Sequence, residues 1–264
     1  MRYVRQLDNP IHAITRFVEN SVQNNAKLVR VMPCTIDNRQ FLVVADNGQG
    51  ATGEHLQDSF HTFGKTGDGK QGVQTDSVWW GAEHGMSLKI GILRIGRSGL
   101  VLSRTNEGLA VALVSEQFMI DAGAHEVLVP VLRFTVEGEK LSALDPKSDA
   151  LLAAVKRYTG LFGTLAELQV YVNRELSQCG FYILIGDQRN PNDSQIKHEL
   201  VFTNNDLQVR SEVLESLYLP SSKNLLENSL EKSVNYLYIK HPPEFSLQIE
   251  NMTYKCQNPY DLLC

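Results

Sequence analysis

The sequence predicts an α+β fold, and three stretches carry that prediction. PIHAITRFVENSVQNNA, from residue 10, places Ile11, Ile14, Phe17, Val18 and Val22 at helical spacing. QFLVVADNGQG, from residue 40, is an apolar run that ends at once in acid, amide and two glycines. A strand ends this way when its turn must bring the backbone close to something. After a glycine-rich polar stretch, most remaining apolar runs are short and strand-like. Helix, strand, glycine loop and a β-rich remainder assemble as two layers, helices on a sheet.

Element by element, Pro10 suits a first helical turn, with Asp8 or Asn9 before it as cap. Phe41 to Ala45 form the strand. The glycine-rich stretch from 64 to 85 is a long loop, and its length inside a compact domain marks either a functional lid or partial disorder. GLVLS, LAVALVS and EVLVPVLRF read as strands, the last broken or edged by Pro130. A helix starts near Ser148 and stops at Gly160. AELQVYV, FYILIG, SVNYLYIK and FSLQI read as further strands. The turn-rich RNPNDS, from Arg189, lies near a boundary between a first unit over 1–185 and a second over 186–264.

With 264 residues the chain can build a core without staples. Its net charge of −5 gives no overall attraction to nucleic acid or anionic lipid, so such contacts would need a local basic patch. The four cysteines lie far apart, without a CxxC pair, which argues against a zinc site and for a reducing compartment. The charged start, MRYVRQLDNP, lacks the apolar core of a signal peptide. No apolar run nears the ~18 residues of a membrane span. The expectation is a soluble intracellular protein without membrane contact.

GKTGDGKQ, residues 64 to 71, matches a phosphate-binding P-loop except at its last position. Context excludes that reading: Gln71 replaces the hydroxyl, and Gly72 follows where a helix should open. A loop whose lysines and backbone N–H groups close over phosphates held elsewhere fits better. His55, His61 and His84, near Glu54 and Glu83, match no metal-ligand spacing. No G-x-S-x-G elbow supports a hydrolase triad.

The order of the pieces carries more than any one of them. Asn20 on a helix precedes a strand ending in D-N-G-x-G; a glycine-rich lid follows, then a late Gly163–Thr164 pair read as preceding a strand. This order resembles the nucleotide site of the GHKL superfamily, which includes gyrase B, MutL proteins and the heat-shock chaperone. Within it the MORC proteins are most similar, through PIHAITRFVENS, FHTFGKTGDGK, SLKIG, HEVLVPVLRF and SEVLESLYLP. The resemblance implies a GHKL α/β sandwich over 1–185, followed from 186 by the start of a transducer-like domain. It implies ATP and magnesium as cofactors. Asn20 is then the magnesium ligand, Asp46 holds the adenine amine, and Gly48 and Gly50 line the base. Thr164 supports Asp46 through water, Lys65 or Lys70 meets the β- or γ-phosphate, and Gly81 and Gly85 belong to the phosphate-cradling lid. It further implies an ATP-gated homodimer acting on chromatin or DNA in a nucleus.

Two departures stand against turnover. The superfamily's catalytic glutamate, four residues before the asparagine, is here Arg16, which cannot take a proton from water. Glu19 lies about 100° round the helix from Asn20 and faces elsewhere. In the lid, WGAEHGMS puts Glu83 near a cradle glycine, where an anion repels phosphate. Arg16 could instead hold a phosphate, or pair with Glu83 or Asp46 and fill the pocket. Two readings stay open: a clamp that binds ATP with weak or absent hydrolysis, and a degenerate pseudo-ATPase that serves as a dimerisation scaffold.

Overall fold

The computed structural model describes residues 9–61, 86–190, 198–211, 213, 228–237 and 244–255. The first helix, α1 (Pro10–Gln23), forms where its periodicity places it. Of the two candidate caps it uses Asn9, whose Oδ1 accepts from the Ile11 amide at 2.8 Å, with Pro10 in the first turn. Strands β1 (Leu28–Ile36) and β2 (Arg39–Asp46) follow as a hairpin. Its two-residue turn, Asp37–Asn38, has φ of 48° and 63°, the left-handed geometry that suits the strand twist.

Helices α2 (Gly53–His61) and α3 (Met86–Ile95) flank a stretch outside the described residues. Then come β3 (Gly96–Arg104), β4 (Gly108–Ser115), α4 (Glu116–Asp121), β5 (Val131–Glu137) and β6 (Lys140–Ala143). Pro130 does edge the third run: β5 begins just after it, and its carbonyl still accepts from the Leu113 amide. Helix α5 (Ser148–Thr159) ends at Gly160, left-handed at φ 77°. Helix α6 (Leu165–Glu175), β7 (Gly180–Gln188), β8 (Leu200–Thr203), β9 (Asp206–Val209), α7 (Leu230–Leu237), β10 (Ser246–Ile249) and β11 (Met252–Lys255) complete the described chain.

Among the described residues nine strands make one sheet in the order β11-β10-β1-β2-β7-β3-β4-β5-β6, while β8 and β9 pair separately. All its pairings are antiparallel except β1–β10. Alternation along β2 separates the faces. Leu42 and Val44 join a core with Ile11, Ile14, Phe17, Leu56, Phe60 and Ile92. Phe41, Val43 and Ala45 join another with Leu152, Val155, Leu168 and Val172 of α5 and α6. The α+β sandwich expected from the sequence is therefore the fold, with α1, α2, α3 and α7 on one face.

Two predicted strands are helices. AELQVYV lies in α6, where Thr164 caps the start by accepting from the Glu167 amide and the Glu167 carboxylate accepts from the Gly163 amide. Leu168, Tyr171 and Val172 then share the buried face, while Val170 stays 68% exposed. The first part of SVNYLYIK lies in α7, started by the Ser229 hydroxyl, which accepts from the Lys232 amide. Leu207, Val209, Leu230, Val234, Leu247 and Ile249 share one apolar core with α1.

Candidate nucleotide site

Strand β2 delivers Asp46 to the α1 side of the sheet, where it is only 7% exposed. Three donors meet it there. The Ser21 hydroxyl lies 2.6 Å from Oδ2, and the amides of Gly48 and Phe181 donate to Oδ1 at 2.9 and 3.1 Å. Burial pushes the carboxyl above its ordinary range, and these hydrogen bonds oppose the shift. A carboxylate offers about four acceptor positions, so one remains for a ligand.

The turn after Asp46 is pinned to its surroundings. Asn47 Oδ1 accepts from the amides of Lys27 and Leu28, and the Gln49 amide donates to the Asn24 carbonyl. The Ser103 hydroxyl, fully buried on β3, bonds both the amide and the carbonyl of Ala51. Gly50, at φ +69°, passes so close to Arg104 that a Cβ would sit 2.2 Å from its carbonyl oxygen. The glycine-marked turn therefore lies flat on the sheet.

Above this turn opens a cavity of about 440 Å³, within the size range of small-molecule sites. Phe17, Asn20, Ser21 and Asn24 of the α1 segment line it, with Asp46, Gly50, His55, Leu56 and Ser59, and with Leu88, Phe181 and Ile183. The structure thus brings Asn20, Asp46 and Gly50 to one cavity, and Gly48 caps Asp46 beside it. Lys65, Lys70, Gly81, Gly85 and Glu83 lie outside the described residues.

Arg16 does not line this cavity and does not touch Asp46. Its Nη1 meets Glu19 Oε2 at 2.7 Å, with the arginine side chain 43% exposed and the glutamate 15%. The pairing one turn before Asn20 therefore holds Glu19, the neighbouring carboxylate, to the guanidinium.

Thr164 is not in the site. It is exposed at the start of α6, on the opposite face of the sheet, and its hydroxyl serves the helix cap. The late glycine that opens a strand is Gly180, and the residue after it is Phe181, which reaches Asp46 through its amide. A Cβ on Gly180, at φ +143°, would lie 2.1 Å from the Asp46 carbonyl oxygen, so the crossing needs glycine. Sequence reasoning missed Ser21, Phe181, Ser103 and His55. The dipeptide Gly180–Phe181 at the head of FYILIG was the available signal, being also a late glycine just before an apolar run.

The residues present fit a nucleotide's base end: a buried acceptor at a turn, walled by Phe17, Leu56, Leu88 and Ile183. Among the described residues no cluster of three or more His, Cys, Asp or Glu could cage a metal.

Comparison with known proteins agrees with this geometry. Residues 9–143 match the family described as histidine kinase-, DNA gyrase B-, and HSP90-like ATPase. The MORC family CW-type zinc finger protein 3 of Mus musculus is 25% identical over 69% of this chain and 19% of its own length. The ATPase morc-1 of Caenorhabditis elegans is 26% identical over 68% of this chain and 20% of its own. The MORC family CW-type zinc finger protein 1 of Homo sapiens is 24% identical over 66% of this chain and 17% of its own. The chain thus spans about a fifth of the length of the curated relatives it matches. It belongs to the histidine kinase-, DNA gyrase B- and HSP90-like ATPase family, as a divergent member of MORC type.

Proposed function

We propose that this chain binds ATP with magnesium and dimerises as a nucleotide-gated clamp in chromatin regulation, with hydrolysis weak or absent. The observation that carries the reading is the shared cavity of Asn20 on α1 and Asp46 at the end of β2. Asp46 accepts the amine of the base, and Gly50 lets the base lie against the turn. Asn20, an oxygen ligand on the cavity wall, suits magnesium. Magnesium when bound neutralises phosphate charge; Lys65 or Lys70, with the lid backbone at Gly81 and Gly85, meets the phosphates.

Turnover is weak because the group that should activate water is absent. Arg16 holds its proton at any physiological pH, and its partner Glu19 is already engaged. The same pair supports a second reading, a pseudo-ATPase that dimerises as a scaffold without nucleotide. Homodimerisation, action on chromatin or DNA and a nuclear setting follow from the MORC resemblance. Among the described residues no helix is long and apolar enough to cross a membrane. The division at 185/186 into a GHKL unit and the start of a transducer-like unit is proposed as one of modules, not of packing.

Isothermal calorimetry of the chain with ATP and magnesium tests this. The expected result is micromolar binding that Asn20→Ala abolishes. A flat titration at millimolar ATP would leave only the scaffold.

A further inference from the structure

His55 lines the same cavity as Asn20 and Asp46, and its ring is held by a residue that lies outside that cavity. We propose that Thr52 fixes the imidazole with its proton on Nε2, and that this N–H donates to an oxygen of the nucleotide beyond the base. The proposal rests on the nucleotide reading above and adds a positioned donor to that site.

Thr52 stands just before α2, and its Oγ1 accepts from the His55 amide at 3.3 Å, as a helix cap does. The same oxygen lies 3.0 Å from His55 Nδ1. A neutral imidazole has one nitrogen that donates and one that accepts, and a hydroxyl has one proton to give. With the amide already donating to Oγ1, the hydroxyl proton goes to Nδ1. The ring proton then sits on Nε2, because the bond made by one nitrogen sets the state of the other.

The surroundings aim the ring. Thr52 lines the neighbouring hollow, with Gly53, Arg133 and Leu144, and not the nucleotide cavity. His55 lines the cavity and not the hollow. The imidazole therefore bridges the two, with Nδ1 on the side of Thr52 and Nε2 on the far edge. Ser59, one turn further along α2 and also on the cavity wall, donates to the His55 carbonyl at 2.8 Å and ties the two residues together. Asp46 is buried whereas His55 is exposed. A nucleotide whose base reaches Asp46 thus turns its sugar and phosphates toward the open side, where the ring stands. Both carry oxygen acceptors.

Two measurements test the proposal, the first without ligand. In a chain with nitrogen-labelled histidines, the imidazole signals of His55 are those that His55→Gln removes. At about pH 8.5, where an ordinary histidine is neutral, they should show a protonated Nε2 and a bare Nδ1. Thr52→Val should release the ring to a mixture of both forms. The second measurement is calorimetry with magnesium and ATP. His55→Ala should weaken binding by about 3- to 10-fold if the acceptor is a sugar hydroxyl, and by about 10-fold or more if it is a phosphate oxygen. His55→Gln, whose amide nitrogen falls near the place of Nε2, should recover most of the loss. His55→Asn, whose amide nitrogen falls near Nδ1, should not. Adenosine separates the two sources: a loss that persists with it puts the acceptor on the sugar, and a loss confined to ATP puts it on the phosphates.

A protonated Nδ1 in the unaltered chain would overturn the proposal, since Thr52 would then be the acceptor and Nε2 would have no proton to give. So would His55→Ala binding ATP within about 2-fold of the unaltered chain, or His55→Asn recovering as much as His55→Gln. His55 is exposed, so these variants leave the core intact. A flat titration of the unaltered chain with ATP would remove the nucleotide reading and this contact with it, while the tautomer, measured without ligand, would stand or fall by itself.

Discussion

Two successive turns of α1 differ in what they are built to do. The turn at Asn20 and Ser21 faces the cavity, and Ser21 reaches across to the carboxylate that ends β2. The turn at Arg16 and Glu19 closes on itself in a pair 2.7 Å long, away from that cavity. Holding a nucleotide uses the first turn, whereas activating water needs a base on the second. At the holding end lies a buried carboxylate that three donors meet and that has one acceptor position left open.

The widest difference between the turns is tested by restoring a base. Arg16→Glu removes the pairing cation and places a carboxylate four residues before Asn20. Glu19, three residues on, then repels it, which raises the carboxyl pKa toward that of a useful base. If the rest of the site is competent, phosphate release under saturating ATP should rise by about 10²–10⁴-fold, the usual worth of general-base catalysis. Arg16→Ala frees Glu19 without supplying a base in register, and should give no comparable rise. No gain with Arg16→Glu would put the defect at the phosphate end rather than on α1.

The holding turn was legible in sequence for a physical reason. α1 buries one face only, so its apolar spacing has a single interpretation, and Pro10 and Asn9 mark its start. Asp46 was legible because a strand that runs into D-N-G-x-G announces both its end and a close backbone approach. Thr164 was misread because Leu168, Val170 and Val172 alternate like a strand, while Leu168, Tyr171 and Val172 also fit a helix. The cap at Thr164 and Glu167 settles the conflict, and the exposed Val170 is its visible consequence. The partner of Asp46 on β7 lies 135 positions away, in a pairing that only the folded sheet creates. Local patterns cannot carry such a contact.

Asp46→Asn sharpens the holding half of the comparison. The amide oxygen can keep both backbone donors, and its nitrogen can donate to the Ser21 hydroxyl. Ser21 is then free to turn its one proton to the Phe17 carbonyl at 3.0 Å. The second amide proton faces the cavity and opposes an incoming amine, so ATP affinity should fall by about 10- to 100-fold. Stability should move the other way. Because burial raises the folded-state pKa of Asp46, its contribution is favourable below the unfolded carboxyl pKa and is lost as pH rises through the folded value. At neutral pH the variant should therefore melt higher than the parent, and this advantage should shrink as pH falls into the carboxylate range. Melting curves across that range check the sign, and an unchanged difference at every pH would mean Asp46 titrates no differently when folded.

The smallest effect separates the two faces of the sheet. Thr164→Ala removes the hydroxyl that accepts from the Glu167 amide at 3.2 Å and weakens the start of α6. Loss of such a cap costs about 1 kcal/mol, which denaturant unfolding resolves. Leu168 and Val172, fully buried against β2 and its neighbours, still anchor the helix, so the fold persists. The nucleotide cavity lies on the other side of the sheet, and its affinity for ATP should stay within about 2-fold, as for independent sites. A large loss of affinity with little loss of stability would return Thr164 to the site, and would mean that α6 and β2 are coupled through the sheet between them.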